Sequence, residues 1–474
     1  MLNHLDPASA LAFGLLVFSL IMVIAFETTN GFHDAANAVA TVIYTKSLAA
    51  GQAVVLSGVM NFVGVMVGGI AVAYAMVELL PAEVLSPPDG GPAVAMLVSL
   101  FTAALFWNVG TWWFGLPNSS SHCLVGSLIG VAVGNAFARS RSVEDGVHWA
   151  QLWKVLEALA LSPILGFLLA GALYYLCRRY LHDKHLYEPV KDTPPVWWMR
   201  GILIATCSGV SFAHGTNDGQ KSIGLIMLTI IGLFPATFSI NPDAQLPPPE
   251  MAGIVRDAEP LIERYGDDQK QAALDSARAI ERADGQGETD TSMGRPRLEP
   301  GPNQPREKQR TTMRDDVYQL ISQLRYAEEA KGIDKNAKKQ AEDLARRLGK
   351  TVEYAPLWVR LLSAVCLGVG TMIGYKRIVT TLGERLGSVH LTPAQGASAE
   401  LVSAALISVA GLTGLPVSTT HIVTSGIAGT MVSSGAGLQY KMVSRIVIAW
   451  VLTLPVTIVI SGILYYVLAG PVCK

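Results

Sequence analysis

The sequence predicts an all-α polytopic membrane protein: about 10–12 transmembrane or broken helices in two repeats, inverted by expectation, with a soluble helical insert in the second repeat. Three observations carry this. The 474 residues are half hydrophobic and only 15% charged, with 45 glycines, a composition of helical membrane proteins. The charge is unevenly placed, since residues 241–353 hold 41 of the 73 charged side chains. Two pairs of motifs also recur in the same order in the two halves.

Long apolar stretches run over 8–26, 52–80, 92–114, 151–177, 201–213, 222–238, 357–374, 397–413 and 444–469. Several approach the roughly 20 residues a spanning helix needs, and others are short or broken by Gly and Pro. The resulting division is a first transmembrane repeat (1–177), a basic linker (178–200), the first part of a second repeat (201–240), the charged insert (241–353) and the remainder of the second repeat (354–474). Met1 to Pro7 carries no Lys or Arg and no small-residue cleavage site closes the first run, so it is expected as a retained helix. Cys123, Cys177, Cys207, Cys366 and Cys473 lack CxxC spacing and suggest neither a disulfide frame nor a zinc site. In the insert, "LPPPE" and "GPNQPREKQR" read as breakers and loops. "DDVYQLISQLRYAEEA" and "KKQAEDLARRL" have helical apolar spacing on a charged surface. The near balance of charge there gives no argument for nucleic acid.

The repeat is legible in the motifs. "GFHDAAN" (Gly31, His33, Asp34, Asn37) is echoed by "GTNDGQK" (Gly215, Asn217, Asp218, Lys221), and "GLPNSSSH" at 115–122 by "GLPVSTTH" at 414–421. Asp34 lies 88 positions before His122, and Asp218 lies 203 before His421, or 90 once the 113-residue insert is removed. Duplicated halves with interrupted apolar segments are the mark of secondary transporters, whose sites form at mid-membrane from both repeats.

The motifs have a definite chemistry. Pro117 suits a first helical turn with Asn118 or Ser119 as cap, placing Ser119, Ser120 and Ser121 at a helix N-terminus; Ser418, Thr419 and Thr420 after Pro416 repeat this. Free N–H groups and hydroxyls there bind phosphate or another oxyanion. Asp34 and Asp218 would repel a bare anion, but phosphate at neutral pH carries an O–H that a carboxylate accepts and sulfate does not. Two aspartates, Lys221 and HPO₄²⁻ would together carry a net charge of −3, which no low-dielectric site tolerates. A divalent cation such as Mg²⁺, expected on Asp34 and Asp218 with the phosphate, and one proton bring it to neutral. His33 is the natural proton candidate. Glu27, seven residues before Asp34 on roughly the same face, is a weaker one unless Gly31 disrupts the helix. His122 and His421 end the hydroxyl triplets and join the proton-coupling candidates. Asn108 and Gln220 could bridge helices without meeting substrate. "HDKH" at 182–185 has metal-like spacing in a basic, solvated loop.

These motifs closely resemble the PiT family of inorganic phosphate transporters, and the likeness covers nearly all of the chain except the insert. "GFHDAANAVATVIYT", "AHGTNDGQKSIGL", "GLPNSSSH" and "GLPVSTTH" correspond to its paired signatures. His33, and Gln220 with Lys221, look like the bacterial low-affinity branch. The resemblance implies symport of phosphate as a divalent metal–phosphate complex with protons, an inverted-repeat fold, a multi-pass location in the bacterial inner membrane, and no permanently bound cofactor. It implies a substrate site drawn from Asp34, Asn37, Ser119–Ser121, Asn217, Asp218, Lys221 and Ser418–Thr420. Arsenate is an expected second substrate, the lipid bilayer the surroundings, and a homodimer is left open. A Lys221 ammonium would occupy the place a sodium ion needs, although a sodium-coupled symporter remains the alternative. An Asp-nucleophile phosphotransferase is disfavoured because no HExxH, P-loop or nucleophile–base pairing is present. A passive anion channel is the remaining competitor. Arg178, Arg179, Lys184, Lys191 and Arg200 place the linker in the cytoplasm by the positive-inside rule.

Overall fold

The computed structural model describes residues 7–77, 79, 91–140, 142–143, 149–190, 194–233, 240–241, 243, 248–267, 270–285, 306–330 and 332–473. The chain divides into two compact units, Met1–Thr229 with Ala355–Lys474, and Ile230–Tyr354. Among the described residues both are built from helices, with no strand ladder.

In the first unit the first half contributes α1 (Pro7–Tyr44), α2 (Ala50–Val67), α3 (Ala71–Val77), α4 (Gly91–Trp113), α5 (Ser120–Ala138) and α6 (Trp149–Tyr180). α7 (Trp197–Leu233) opens the second half. In the second unit lie α8 (Pro248–Tyr265), α9 (Lys270–Gly285), α10 (Arg306–Glu329) and α11 (Lys335–Val352). The first unit resumes with α12 (Leu357–Met372), α13 (Lys376–Thr380), α14 (Pro393–Thr413), α15 (Thr419–Ser434) and α16 (Tyr440–Cys473). Six described helices are long and apolar enough to cross a bilayer by length and composition: α2, α5 and α14, and stretches of α4, α6 and α16. Several such helices in one chain are the pattern of a multi-pass membrane protein.

These helices are patterned for lipid outside and small or polar groups inside. On α2, Val55, Val59 and Val63 face outward while Ser57, Gly58, Asn61 and Gly64 are buried. On α16, Val447, Val451, Val459 and Ile463 face outward, and the buried Thr453, Thr457 and Ser461 hydrogen-bond carbonyls one turn back. Close helix approach through glycine drives packing where burial of apolar surface cannot. A Cβ at Gly134 of α5 would stand 2.6 Å from the Gly462 carbonyl oxygen of α16.

The halves match element by element. α1 and α7 have 38 and 37 residues, α2 and α12 have 18 and 16, α4 and α14 have 23 and 21, and α6 and α16 have 32 and 34. Their packing is exchanged: α5 lies on α16 and α15 on α6, while α1 lies on α12. Arg200 in the first turn of α7 donates from Nε to the Ser47 carbonyl just past the end of α1, at 2.6 Å. The equivalent helices α1 and α7 therefore run in opposite senses.

Two local expectations are corrected. α1 and α7 continue unbroken through Gly31 and Gly215, so Asp34 and Asp218 sit inside helices, and 201–213 and 222–233 belong to one helix; residues 234–238 lie outside the described residues. The glycines serve close approach: a Cβ at Gly31 would stand 2.7 Å from the Leu367 carbonyl oxygen and 2.8 Å from Gly370 C on α12. Pro117 and Pro416 lie two residues ahead of the caps Ser119 and Ser418, outside the first turn.

The second unit packs its helices around Val255, Ile262, Leu320, Leu324, Leu344 and Leu348. Asp334 caps α11, accepting from the N–H groups of Asn336 and Ala337 at 2.9 Å each, and these bonds hold its carboxyl below the usual range. The breaker-rich stretches supply helix starts at Pro248 and Arg306; residues 246–247 and 301–305 lie outside the described residues.

Candidate functional site

The hydroxyl motifs form two equivalent helix N-termini. Ser119 and Ser418 have nearly the same extended backbone, φ −99° and −98°, and each accepts the N–H three residues on, from His122 at 3.1 Å and His421 at 3.2 Å. Ser120, Ser121, Thr419 and Thr420 then occupy first turns, where backbone N–H groups lack helical acceptors.

Both turns abut the aspartates, all buried. Ser120 Oγ donates to Asp34 Oδ2 at 3.3 Å, and its equivalent Thr419 Oγ1 to Asp218 Oδ2 at 3.4 Å. The third hydroxyls cross to the opposite repeat. Thr420 donates to Asp34, and Asn37 Nδ2 bonds Asp34 Oδ1 at 3.0 Å and Thr420 Oγ1 at 3.2 Å. In the mirrored place Lys221 Nζ donates to Asp218, to Ser121 Oγ at 2.6 Å and to the Val417 carbonyl at 2.9 Å. Asp34 is thus held by hydroxyls from both halves, and Asp218 by the Thr419 hydroxyl and the Lys221 ammonium.

A residue not singled out from the sequence lies between them. His214 Nε2 is 3.4 Å from Asp34 Oδ2 and 3.3 Å from Asp218 Oδ2. Its Nδ1 is 2.8 Å from Asn61 Oδ1, whose amide in turn donates to Thr371 Oγ1 at 3.0 Å. With Nδ1–H donating to Asn61, Nε2 is the atom presented to the carboxylates. One donor atom from each of Asp34, His214 and Asp218 lies within 4.8 Å of the others, a set that fits a divalent ion. The repeat itself carried the signal: His214 precedes Gly215 as Asn30 precedes Gly31, and Asn30 accepts from Ser120.

Other candidates lie elsewhere. His33 Nε2 meets the Asn108 carbonyl at 2.7 Å, turned toward α4, and is not brought to the carboxylates. His122 and His421 face each other, ring centroids 4.5 Å apart, and His421 stacks on Trp450 at 3.9 Å. Asn217 Nδ2 donates to the Leu415 carbonyl at 3.3 Å. Glu27, two turns along α1, accepts from Ser222 of α7. Gln220 bridges helices, accepting from Val72 N at 2.9 Å, while Asn108 Oδ1 accepts from Cys123 at 3.0 Å. The 182–185 loop is exposed, with Asp183 capping a short turn through His185 N; Lys191 lies outside the described residues.

Two hydroxyl-bearing helix N-termini, two buried carboxylates and a lysine, drawn from both halves of a helical bundle, are the features of a membrane transporter. The chain belongs to the phosphate transporter family, which it matches over residues 30–461. It is 38% identical to the low-affinity inorganic phosphate transporter PitA of Escherichia coli K12, over 95% of this chain and 96% of that protein. PitB of the same organism is also 38% identical, with 96% of each chain covered. The probable low-affinity inorganic phosphate transporter of Bacillus subtilis is 27% identical over 96% of this chain and 98% of its own. A solved structure titled the sodium-dependent phosphate transporter shares the fold at TM-score 0.54 and 19% identity, covering 96% of this chain and 99% of its own. These relatives are transporters, in agreement with the expectation that the chain is not an enzyme.

Proposed function

We propose that this phosphate transporter family member imports inorganic phosphate across the bacterial inner membrane as a divalent metal–phosphate complex, together with protons, through two inverted repeats. The observation that carries the reading is the meeting of Asp34 and Asp218 between two hydroxyl-bearing helix ends. The opposed senses of α1 and α7 support the inverted repeat.

Charge decides the cargo. With Asp34 and Asp218 ionised and Lys221 protonated, the empty cluster carries −1, and HPO₄²⁻ alone would take it to −3. A divalent cation on Asp34, His214 and Asp218 reduces this to −1, and one proton carried in the same cycle makes it neutral. Ser120, Ser121, Thr419 and Thr420 then donate to phosphate oxygens while a carboxylate accepts the phosphate O–H. Arsenate, with the same shape and proton, fits the same donors. Lys221 fills a cation position with a fixed ammonium, which favours protons over sodium as the coupling ion.

The test is uptake of labelled phosphate into proteoliposomes, with and without Mg²⁺, at several pH gradients. Uphill accumulation that needs both the metal and an inward proton gradient is expected. Turnover of a phosphate ester without accumulation, or flux that only dissipates a phosphate gradient, would replace this reading with an enzyme or a channel.

A further inference from the structure

The polar residues of α1 form one seam. Glu27, Asn30, Asp34, Asn37 and Thr41 recur at spacings of three and four, so they share a face, and all are buried. The candidate site uses the middle of this seam. Its far end, Thr41, lies about 10 Å along the helix from Asp34 at 1.5 Å per residue, and its hydroxyl has no hydrogen-bond partner.

Thr41 stands beside Glu400 of α14, close enough to act on its carboxylate, and Gly396 one turn earlier packs on the same threonine. Glu400 is 0% exposed. Thr206 Oγ1 of α7 donates to Oε2 at 2.5 Å, while Oε1 has no partner. Ser403, one turn further along α14, and Thr424, one turn beyond Thr420 on α15, also carry unpartnered buried hydroxyls. Among the described residues no ion pair reaches Glu400. Cys207 of α7 is a titratable group close to it, and α1 presents the hydroxyl of Thr41.

An ionised carboxylate here would carry its charge in a low-dielectric interior with no counter-charge to balance it. A proton on Oε1 removes that charge, and the new O–H can donate to the neighbouring Thr41 hydroxyl. We infer that Glu400 is a proton-carrying carboxyl of the transport cycle, separate from the phosphate site and linked to it along the α1 seam. The inference rests on the phosphate–proton symport proposed above. Glu400 takes a proton from water in one orientation of the carrier, becoming a neutral acid, and returns it to water in the other. No other bond is made or broken.

The test uses purified full-length protein. In infrared difference spectra recorded on pH change, the wild type is expected to show a carboxylic-acid C=O band that Glu400→Gln abolishes. In proteoliposomes, Glu400→Gln should keep phosphate exchange without a pH gradient and lose accumulation driven by one. A band indifferent to Glu400, or gradient-driven accumulation intact in Glu400→Gln, would overturn the proposal. Loss of exchange and accumulation together in a folded variant would also overturn it, as would accumulation driven by sodium at constant pH that needs Glu400. If Glu400→Gln does not fold, Thr41→Val should shift the band by removing its acceptor, and an unshifted band would count against the site. Failure of the wild type to transport phosphate would sink the symport reading alone, since the spectra read Glu400 directly.

Discussion

Asp34 and Asp218, 184 positions apart in sequence, converge on one imidazole nitrogen: Nε2 of His214 lies 3.4 and 3.3 Å from their Oδ2 atoms. Two like charges at this separation are stable only with positive charge between or beside them. Lys221 supplies part of it, on the Asp218 side alone. In the reading proposed above a divalent ion would sit at His214 Nε2, beside the hydroxyls of Ser120 and Thr419 that meet the two carboxylates.

Replacing either carboxylate removes a hydroxyl acceptor and, on the proposed reading, a metal ligand. Asp34→Asn and Asp218→Asn are each expected to abolish labelled-phosphate uptake in cells lacking other phosphate carriers, with normal amounts of protein in the membrane fraction. Near-normal uptake in both variants would refute the role given to the pair.

Asn61 touches neither carboxylate and acts by orienting His214. Losing such an orienting partner typically costs about 10–100-fold in metal affinity or activity. Asn61→Leu should therefore raise the Mg²⁺ concentration needed for half-maximal phosphate uptake by roughly that factor. An unchanged metal dependence would show that His214 needs no orientation from Asn61, or is no ligand.

Much of this was legible beforehand, and the omissions have physical causes. The hydroxyl triplets, the aspartates and Lys221 were found because helix-end chemistry and charge are local and duplicated. His214 was missed because its role depends on Asn61 and on both aspartates meeting, contacts set by packing between repeats. His33 attracted attention by adjacency to Asp34, yet successive helical residues point about 100° apart, and its ring faces the Asn108 carbonyl instead. Gly31 suggested a possible break, whereas its missing Cβ serves helix contact, as does that of Gly215. Glu400 sits in an apolar run with no motif around it, so only burial and its bare oxygen single it out.

Ser120 and Thr419 are equivalent by position and by partner, so their loss should have similar effects. Deleting one hydrogen-bond donor costs about 1 kcal/mol, close to fivefold in affinity. Ser120→Ala and Thr419→Ala are each expected to raise the KM for phosphate about fivefold by that measure, with the two effects adding in the double variant unless the sites couple. Direct kinetics of the three variants decide this. A large loss in one and none in the other would deny the repeat symmetry of the site.

The basic linker sets the orientation. Arg200 contacts Ser47 beyond α1, and Arg178 donates to the Ser434 carbonyl at the end of α15, gathering these termini at one face. Excess Arg and Lys in short loops marks the cytoplasmic side. A cysteine introduced as Lys184→Cys should resist a membrane-impermeant thiol reagent in intact cells and react after permeabilisation. Ready labelling from outside would invert the topology.

The repeats differ by a full charge at one motif position, Asn37 against Lys221, and the two side chains hold equivalent places. Asn37 bonds Asp34 and Thr420, while Lys221 bonds Asp218, Ser121 and the Val417 carbonyl, so its ammonium meets three oxygens. Those oxygens are also the kind a sodium ion would require, and on the proposed reading the ammonium takes that place. Lys221→Asn takes the empty cluster from −1 to −2, adds an amide oxygen, and vacates the cation position. Phosphate uptake driven by a proton gradient should fall, and sodium should stimulate what remains. Uptake by the wild type and by Lys221→Asn is to be compared in sodium-free and sodium-containing media at fixed pH and Mg²⁺. Strong sodium stimulation of the wild type, or a variant whose proton response is unaltered, would remove Lys221 from the choice of coupling ion.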